Sequence, residues 1–165
     1  MEMQTYIGVK AVEAKPMRLG KFGELLGKQT PLEDDFREGY LVVYPDGYKS
    51  WSPKEAFEKA YFGITQADMI SVEDVVEFTG AITNSQLDEK TAHVRAEMLN
   101  GFVQHETSSC VDPANYDHTV GCDIAYDRIK NNTWKLLGFV LQWARYGLHE
   151  QQNNQQVSEA VAHES

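Results

Sequence analysis

Residues 92–110 read AHVRAEMLNGFVQHETSSC, and this stretch decides the fold. Two runs of strand-forming residues, 92–99 and 102–110, flank Asn100-Gly101. Both turn residues tolerate positive φ, so Asn-Gly between such runs is the strongest short-range hairpin signal. The hairpin closes at Asp112-Pro113. Beyond it, Val120, Ile124 and Ile129, then Leu137, Val140 and Ala144, recur at helical spacing through 116–148. Asn131-Asn132 or Gly138 is the expected break, which predicts two C-terminal helices. Upstream, Thr65 is placed to cap a short helix over 66–73. Val75, Val76 and Phe78 suggest a strand into Gly80, and 80–90 (GAITNSQLDEK) reads as a polar connection.

A second local signal lies at 39–62, GYLVVYPDGYKSWSPKEAFEKAYF. Leu41 to Tyr44 and Tyr48 to Trp51 form strands around the turn Pro45-Asp46-Gly47, where proline presets φ and glycine takes positive φ. Ser52-Pro53-Lys54-Glu55 has the form of a capping box. It introduces a helix over 53–61 that buries Ala56, Phe57, Ala60 and Tyr61. Before this unit, 5–13 reads as an edge or bulged strand ended by Pro16. Residues 17–28 read as a helix weakened by three glycines, and 29–38 as an acidic loop. The expected class is therefore α+β. A small β-hairpin/helix unit (1–62) precedes an antiparallel sheet packed by two helices (64–148). A polar tail, 149–165, lacks the apolar surface to offset ordering entropy and is expected to be disordered. No internal repeat is visible.

Lys plus Arg is 15 and Asp plus Glu is 25, a net charge of −10. Such a chain is repelled by phosphate backbones, so a nucleic-acid polymer is not the expected partner. No apolar run is long enough to span a membrane, and MEMQTYIG does not open like a secretory signal. Cys110 and Cys122 read as two free thiols of a reducing compartment. Apolar residues make up 42%, enough to fill one core of ordinary domain size.

The chemistry-bearing residues point to binding and not to catalysis. There is no GxGxxG, P-loop, HExxH, GxSxG or CxxC, so no catalytic residue, metal ligand or cofactor is expected. Cys110, Asp112, His118 and Cys122 fit no zinc spacing. His93 and His105 fall on facing strands without being directly opposite, and solvated strand histidines explain them. Asp112 and Asn115 read as helix caps, with phosphate capture at a helix N-terminus as the alternative. The candidate anion surface is Arg128, Lys130 and Lys135 beside Tyr126 and Trp134. Tyr126 and Lys130 are four apart and share a face, so they can stack a base and neutralise a phosphate. An amphipathic helix with solvated cations is the plainer reading of the same residues.

The run NGFVQHETSSCVDPANYDHTVGCDIAYDRIKNNTWKLLGF, within 64–148, resembles the gene-49/gene-66 family of small tailed-phage proteins. The features that carry the resemblance are Asn100-Gly101-Phe102, Cys110-Val111-Asp112-Pro113, Asn115-Tyr116-Asp117, Gly121, Ile124-Ala125 and Trp134. YIGVKAVEAKPM and residues 39–61 are similar to a segment common in phage proteins, often joined to this one. The hairpin-then-helices pattern is also similar to a phage anti-defence family. Its members sequester a cyclic ADP-ribose isomer made by the TIR enzymes of the Thoeris immune system, without degrading it, and form oligomers. That resemblance implies an accessory protein of the host bacterial cytoplasm, non-enzymatic, which binds a cyclic nucleotide or ADP-ribose-type signal. The family's pocket uses a phenylalanine on the sheet, which Phe102 matches, and arginines on the helices; with the anion surface read above, the expected ligand-binding residues are Phe102, Asn115, Tyr126, Arg128 and Lys130. Relatives carry basic residues where Tyr126 and Lys130 stand, and only Lys130 keeps the charge here. The alternative expectation is an acidic inhibitor of a host protein, or a DNA mimic, with carboxylate faces at 33–38 and 73–77.

Overall fold

The structure is a computed structural model and describes residues 3–149. Two three-stranded antiparallel sheets carry the fold. The first is ordered β1 (Glu13–Pro16), β2 (Gly39–Val43), β3 (Lys49–Pro53), with helix α1 (Leu19–Leu25) between β1 and β2 and α2 (Lys54–Ala60) after β3. The second is ordered β4 (Ala81–Asp88), β5 (Thr91–Glu97), β6 (Val103–Ser109). Helix α3 (Val72–Thr79) precedes it, and a one-turn 3-10 helix (Pro113–Asn115) leads to α4 (His118–Tyr146). The expected α+β class holds.

The hairpin at Asn100-Gly101 forms as the sequence demands, with Gly101 at φ 82°. Arg95 pairs with His105 and His93 with Thr107, so alternate residues share a face. Ala92, Val94 and Ala96 point one way and are fully buried under α4. The helix presents Gly121, Cys122, Ala125, Ile129 and Thr133 to them. Small residues on both sides allow a close approach: a Cβ on Gly121 would sit 2.7 Å from that of Ala92.

One polar contact crosses this core. Gln104 of β6 is buried. Its Nε2 donates to Thr133 Oγ1 at 2.9 Å, and its Oε1 accepts from Asn132 Nδ2 at 2.5 Å. A buried amide left unpaired would be destabilising, so these bonds fix the helix in register.

Helix α4 is a single rod of 29 residues, not the two helices expected. Asn132 does not break it because its side chain is spent on Gln104. Gly138 costs about 1 kcal/mol inside a helix but does not remove a hydrogen bond. The rod is about 44 Å long, whereas a seven-residue strand spans about 23 Å. Its first half therefore covers the sheet, and its second half extends past it. There Leu136, Phe139 and Val140 are exposed.

Several expectations are corrected. Residues 72–79 are a helix, not a strand. Ser71 Oγ accepts from Asp74 N–H at 3.1 Å, and the Asp74 carboxylate accepts from Ser71 N–H at 2.8 Å, a complete capping box. Thr65 does not cap a helix over 66–73; its N–H and hydroxyl bond Asp74 instead. Residues 81–88 are a strand, not a connection. Every residue of β4 is exposed, so no apolar pattern announced it.

In the N-terminal sheet, the strand expected over 5–13 does not form: β1 begins only at Glu13 and runs through Pro16. Ser52 and Pro53 close β3, and no side chain caps α2, so the box expected at Ser52 does not form. Of the residues expected to be buried by α2, Phe57 and Tyr61 are half-buried and Ala56 and Ala60 are exposed. Tyr40, Phe57 and Tyr61 stack in sequence at 4.3 and 4.7 Å. Trp51 Nε1 donates to the Met17 carbonyl at 2.7 Å, tying β3 to the start of α1. The main element packing falls within two sets, β1–β3 with α2 and β4–β6 with α3 and α4. One backbone bond, Ala11 N–H to Ala144 O at 3.2 Å, joins the first segment to the far end of α4. Of the tail expected to be disordered, 150–165 lies outside the described residues.

Gly121→Ala should separate α4 from β5 and destabilise the protein by about 1–3 kcal/mol, since overpacking a close contact forces backbone shifts. Urea unfolding followed by circular dichroism checks it. Asp74 yields a second expectation. Burial alone would raise its pKa, but bonds from Ser71 and Thr65 outweigh this and hold it below the ordinary carboxylate value. A depressed folded pKa stabilises above the unfolded value of about 4 and is lost as pH falls through the folded one. Asp74→Ala should therefore cost about 3 kcal/mol at pH 7. The gap to wild type should narrow in unfolding titrations run well below pH 4.

Candidate functional site: the flanks of the long helix

Residues two apart on a helix point about 200° away from one another. Tyr126 and Arg128 accordingly lie on opposite flanks of α4, while Tyr126 and Lys130 share one. Tyr126 is half-buried and packs against the core cluster. The Lys130 ammonium sits over its ring, 4.9 Å from the centroid. Lys130 also pairs with Asp127 at 2.7 Å. The Asp127 carboxylate, as hydrogen-bond acceptor, holds the lysine pKa above its ordinary value, and the charge of Asp127, the Tyr126 ring and Asp123 add to this against desolvation. The ammonium is therefore firmly charged and already partly neutralised.

Arg128 reaches the other way. Its guanidinium donates to the Thr107 carbonyl of β6 at 2.6 Å. Phe102 and Asn115 lie beyond opposite ends of β6, separated by about 23 Å of strand. Phe102 is exposed behind the Asn100-Gly101 turn, its N–H bonded to Asn100 Oδ1 at 3.1 Å. Asn115 belongs to the 3-10 turn and caps nothing. The caps are Asp112, which accepts from Ala114 N–H, and Asp117, which accepts from Val120 N–H at the start of α4. Of the five expected site residues, a single chain thus brings together Tyr126 and Lys130 and leaves Phe102, Asn115 and Arg128 apart.

Two of the clefts among the described residues are lined by none of those five. One, of about 190 Å³, lies between Asp68, Met69 and Ile70 and the second half of α4, around Trp134 and Arg145. Arg145 closes its rim by donating to the Ala67 carbonyl. The other, of about 320 Å³, opens between Arg18, Glu38, Tyr40 and Lys54 of the N-terminal unit.

The acidic stretches are not continuous carboxylate faces. Asp74 is buried within 73–77, and Asp34 pairs with Arg37 at 3.4 Å within 33–38. The two thiols are free. Cys122 is buried, which, with the Asp123 charge, pushes its pKa up. His118 Nε2 lies 3.5 Å from Cys122 Sγ, and its Nδ1 lies 2.8 Å from the Tyr116 hydroxyl.

The arrangement that sequence reasoning missed lies on the outer face of the second sheet. Ser85 Oγ, His93 Nδ1, His93 Nε2 and His105 Nδ1 form a hydrogen-bonded chain with both links at 2.9 Å. The two imidazoles stack at 5.2 Å and 14°. The residue spacing around Asn100-Gly101 did place His93 and His105 on one hairpin. Ser85 was invisible because its strand was read as a connection.

Among the described residues no helix is long and apolar enough to cross a membrane. No curated protein matches the chain, and no solved structure does. A family model does match, over residues 57–144, more than half of the chain. This span holds α3, the second sheet and all but the last two residues of α4. The chain belongs to the phage protein (N4 Gp49/phage Sf6 gene 66) family.

Proposed function

We propose that this phage accessory protein acts by binding and not by catalysis. Its ligand is a cyclic nucleotide or ADP-ribose-type signal of host antiviral defence, sequestered in the host bacterial cytoplasm. The observation that carries this reading is the Lys130 ammonium held over the half-buried Tyr126 ring. A ligand that displaces the ammonium from the ring and from Asp127 would gain stacking for a base and charge for a phosphate. In a chain of net charge −10, such a local pair is what an anion requires.

One chain supplies only part of the site, so the proposal includes a second copy. Arg128 lies on the opposite flank and Phe102 and Asn115 lie beyond the two ends of β6, so on this reading they join the Tyr126 flank from another chain. The overhanging half of α4 offers a surface for that copy. Residues 136–144 (LLGFVLQWA) carry no charged side chain, so like-charge repulsion between two acidic chains is weakest there. Leu136, Phe139 and Val140 are exposed there, and an apolar helix face is ordinarily covered.

A second reading is an acidic inhibitor of a host protein. Strand β4 favours it, because its whole length is exposed and one edge is free for a partner strand.

The test is a thermal-shift panel of cyclic dinucleotides, cyclic trinucleotides and cyclic ADP-ribose isomers, followed by titration calorimetry. A ligand at a hundredfold its Kd stabilises by about 2.7 kcal/mol and raises the melting temperature by several degrees. Lys130→Ala together with Tyr126→Ala should abolish that shift. A panel with no stabilising member, or a double variant that binds like wild type, contradicts the proposal.

A further inference from the structure

The outer face of the β4–β5–β6 sheet lies opposite α4 and takes no part in the helix flanks considered above. In register order it carries Ser85 beside His93, His93 beside Thr107, and Arg95 beside His105. His93 is half-buried and His105 exposed, so solvent reaches both rings. His93 Nε2 and His105 Nδ1 are 2.9 Å apart. Two imidazole nitrogens bound to one ion at about 2.05 Å, the usual metal–imidazole distance, and about 2.9 Å apart subtend about 90° at that ion. That is the angle between neighbouring ligands of a square-planar or tetragonal centre, the geometry of Cu²⁺ and Ni²⁺ sites with nitrogen ligands.

We propose that His93 and His105 form a two-imidazole site for a divalent transition-metal ion of the copper and nickel class. The remaining positions are taken by water or an external donor. The strands fix the spacing, since both side chains hang from adjacent paired backbones. The rings lie in line, each nitrogen aimed at the other, so binding turns each ring by about 45° to face the ion, and the proton the two nitrogens share passes to solvent. Ser85 Oγ at His93 Nδ1 orients that ring from behind, as a hydrogen-bonded partner orients a metal-bound histidine. The nearby positive charge is offset, because Arg95 pairs with Glu97 at 2.8 Å. The acidic chain as a whole attracts cations. With two protein ligands, the other positions around the ion fall to water or an external donor.

The experiment titrates the full-length protein with Cu²⁺, supplied as its glycine complex to suppress weaker sites. The pH is held about one unit above the ordinary imidazole pKa of about 6.5. Calorimetry gives the affinity, and electron paramagnetic resonance counts nitrogen ligands. Wild type should bind one ion with two equivalent imidazole nitrogens. His93→Gln and His105→Gln should each weaken binding about tenfold or more and lose that two-nitrogen signature. His118→Gln should leave both unchanged. All three side chains are outside the core, so melting curves without copper should match wild type. Absence of binding, retention of the signature in the double variant His93→Gln/His105→Gln, or loss of it in His118→Gln overturns the site.

Discussion

Everything in the C-terminal unit hangs on the contact between the small-residue face of α4 and β5. Gly121, Cys122 and Ala125 meet Ala92, Val94 and Ala96 with almost no side-chain volume between the two backbones. Ile129 is fully buried in the same cluster, and Gln104 bonds the helix farther along through Thr133 and Asn132. Such a contact tolerates little sliding, because each methyl group has one place to sit. It sets which side chains of the helix face outward, and therefore where any ligand or partner can be met.

That constraint separates the candidate groups. With Ala125 and Ile129 turned inward, Tyr126 and Lys130 emerge on one flank and Arg128 on the other. No rotation of the helix unites them, because residues two apart on one helix point about 200° away from one another. The segment before β1 meets the far end of α4 through the Ala11 to Ala144 backbone bond.

The hairpin, the long helical stretch and the turn at Asp46-Gly47 were legible in the sequence because each rests on local chemistry: positive-φ turn residues or helical spacing of apolar groups. What sequence reading missed depends on tertiary pairing. Strand β4 has no buried face, so its ladder with β5 is its whole signature. Val75, Val76 and Phe78 have strand-like composition, yet the box formed by Ser71 and Asp74 starts a helix there. The continuity of α4 past Asn131-Asn132 depends on Gln104, a residue far away in sequence. The pairing of Tyr126 with Lys130 followed from spacing alone. The opposed position of Arg128 also follows from helical geometry, once the helix is known to be regular there. The histidine chain needed β4.

Native-state hydrogen exchange on the full chain tests the central contact most directly. If α4 and the hairpin are one interlocked unit, amides of β5, β6 and residues 121–133 should exchange slowest and at a common rate. Those of β4's free edge and of 136–146 should exchange faster. Protection of 121–133 that differs from that of β5, or the slowest exchange falling in the second half of the helix, would contradict the account.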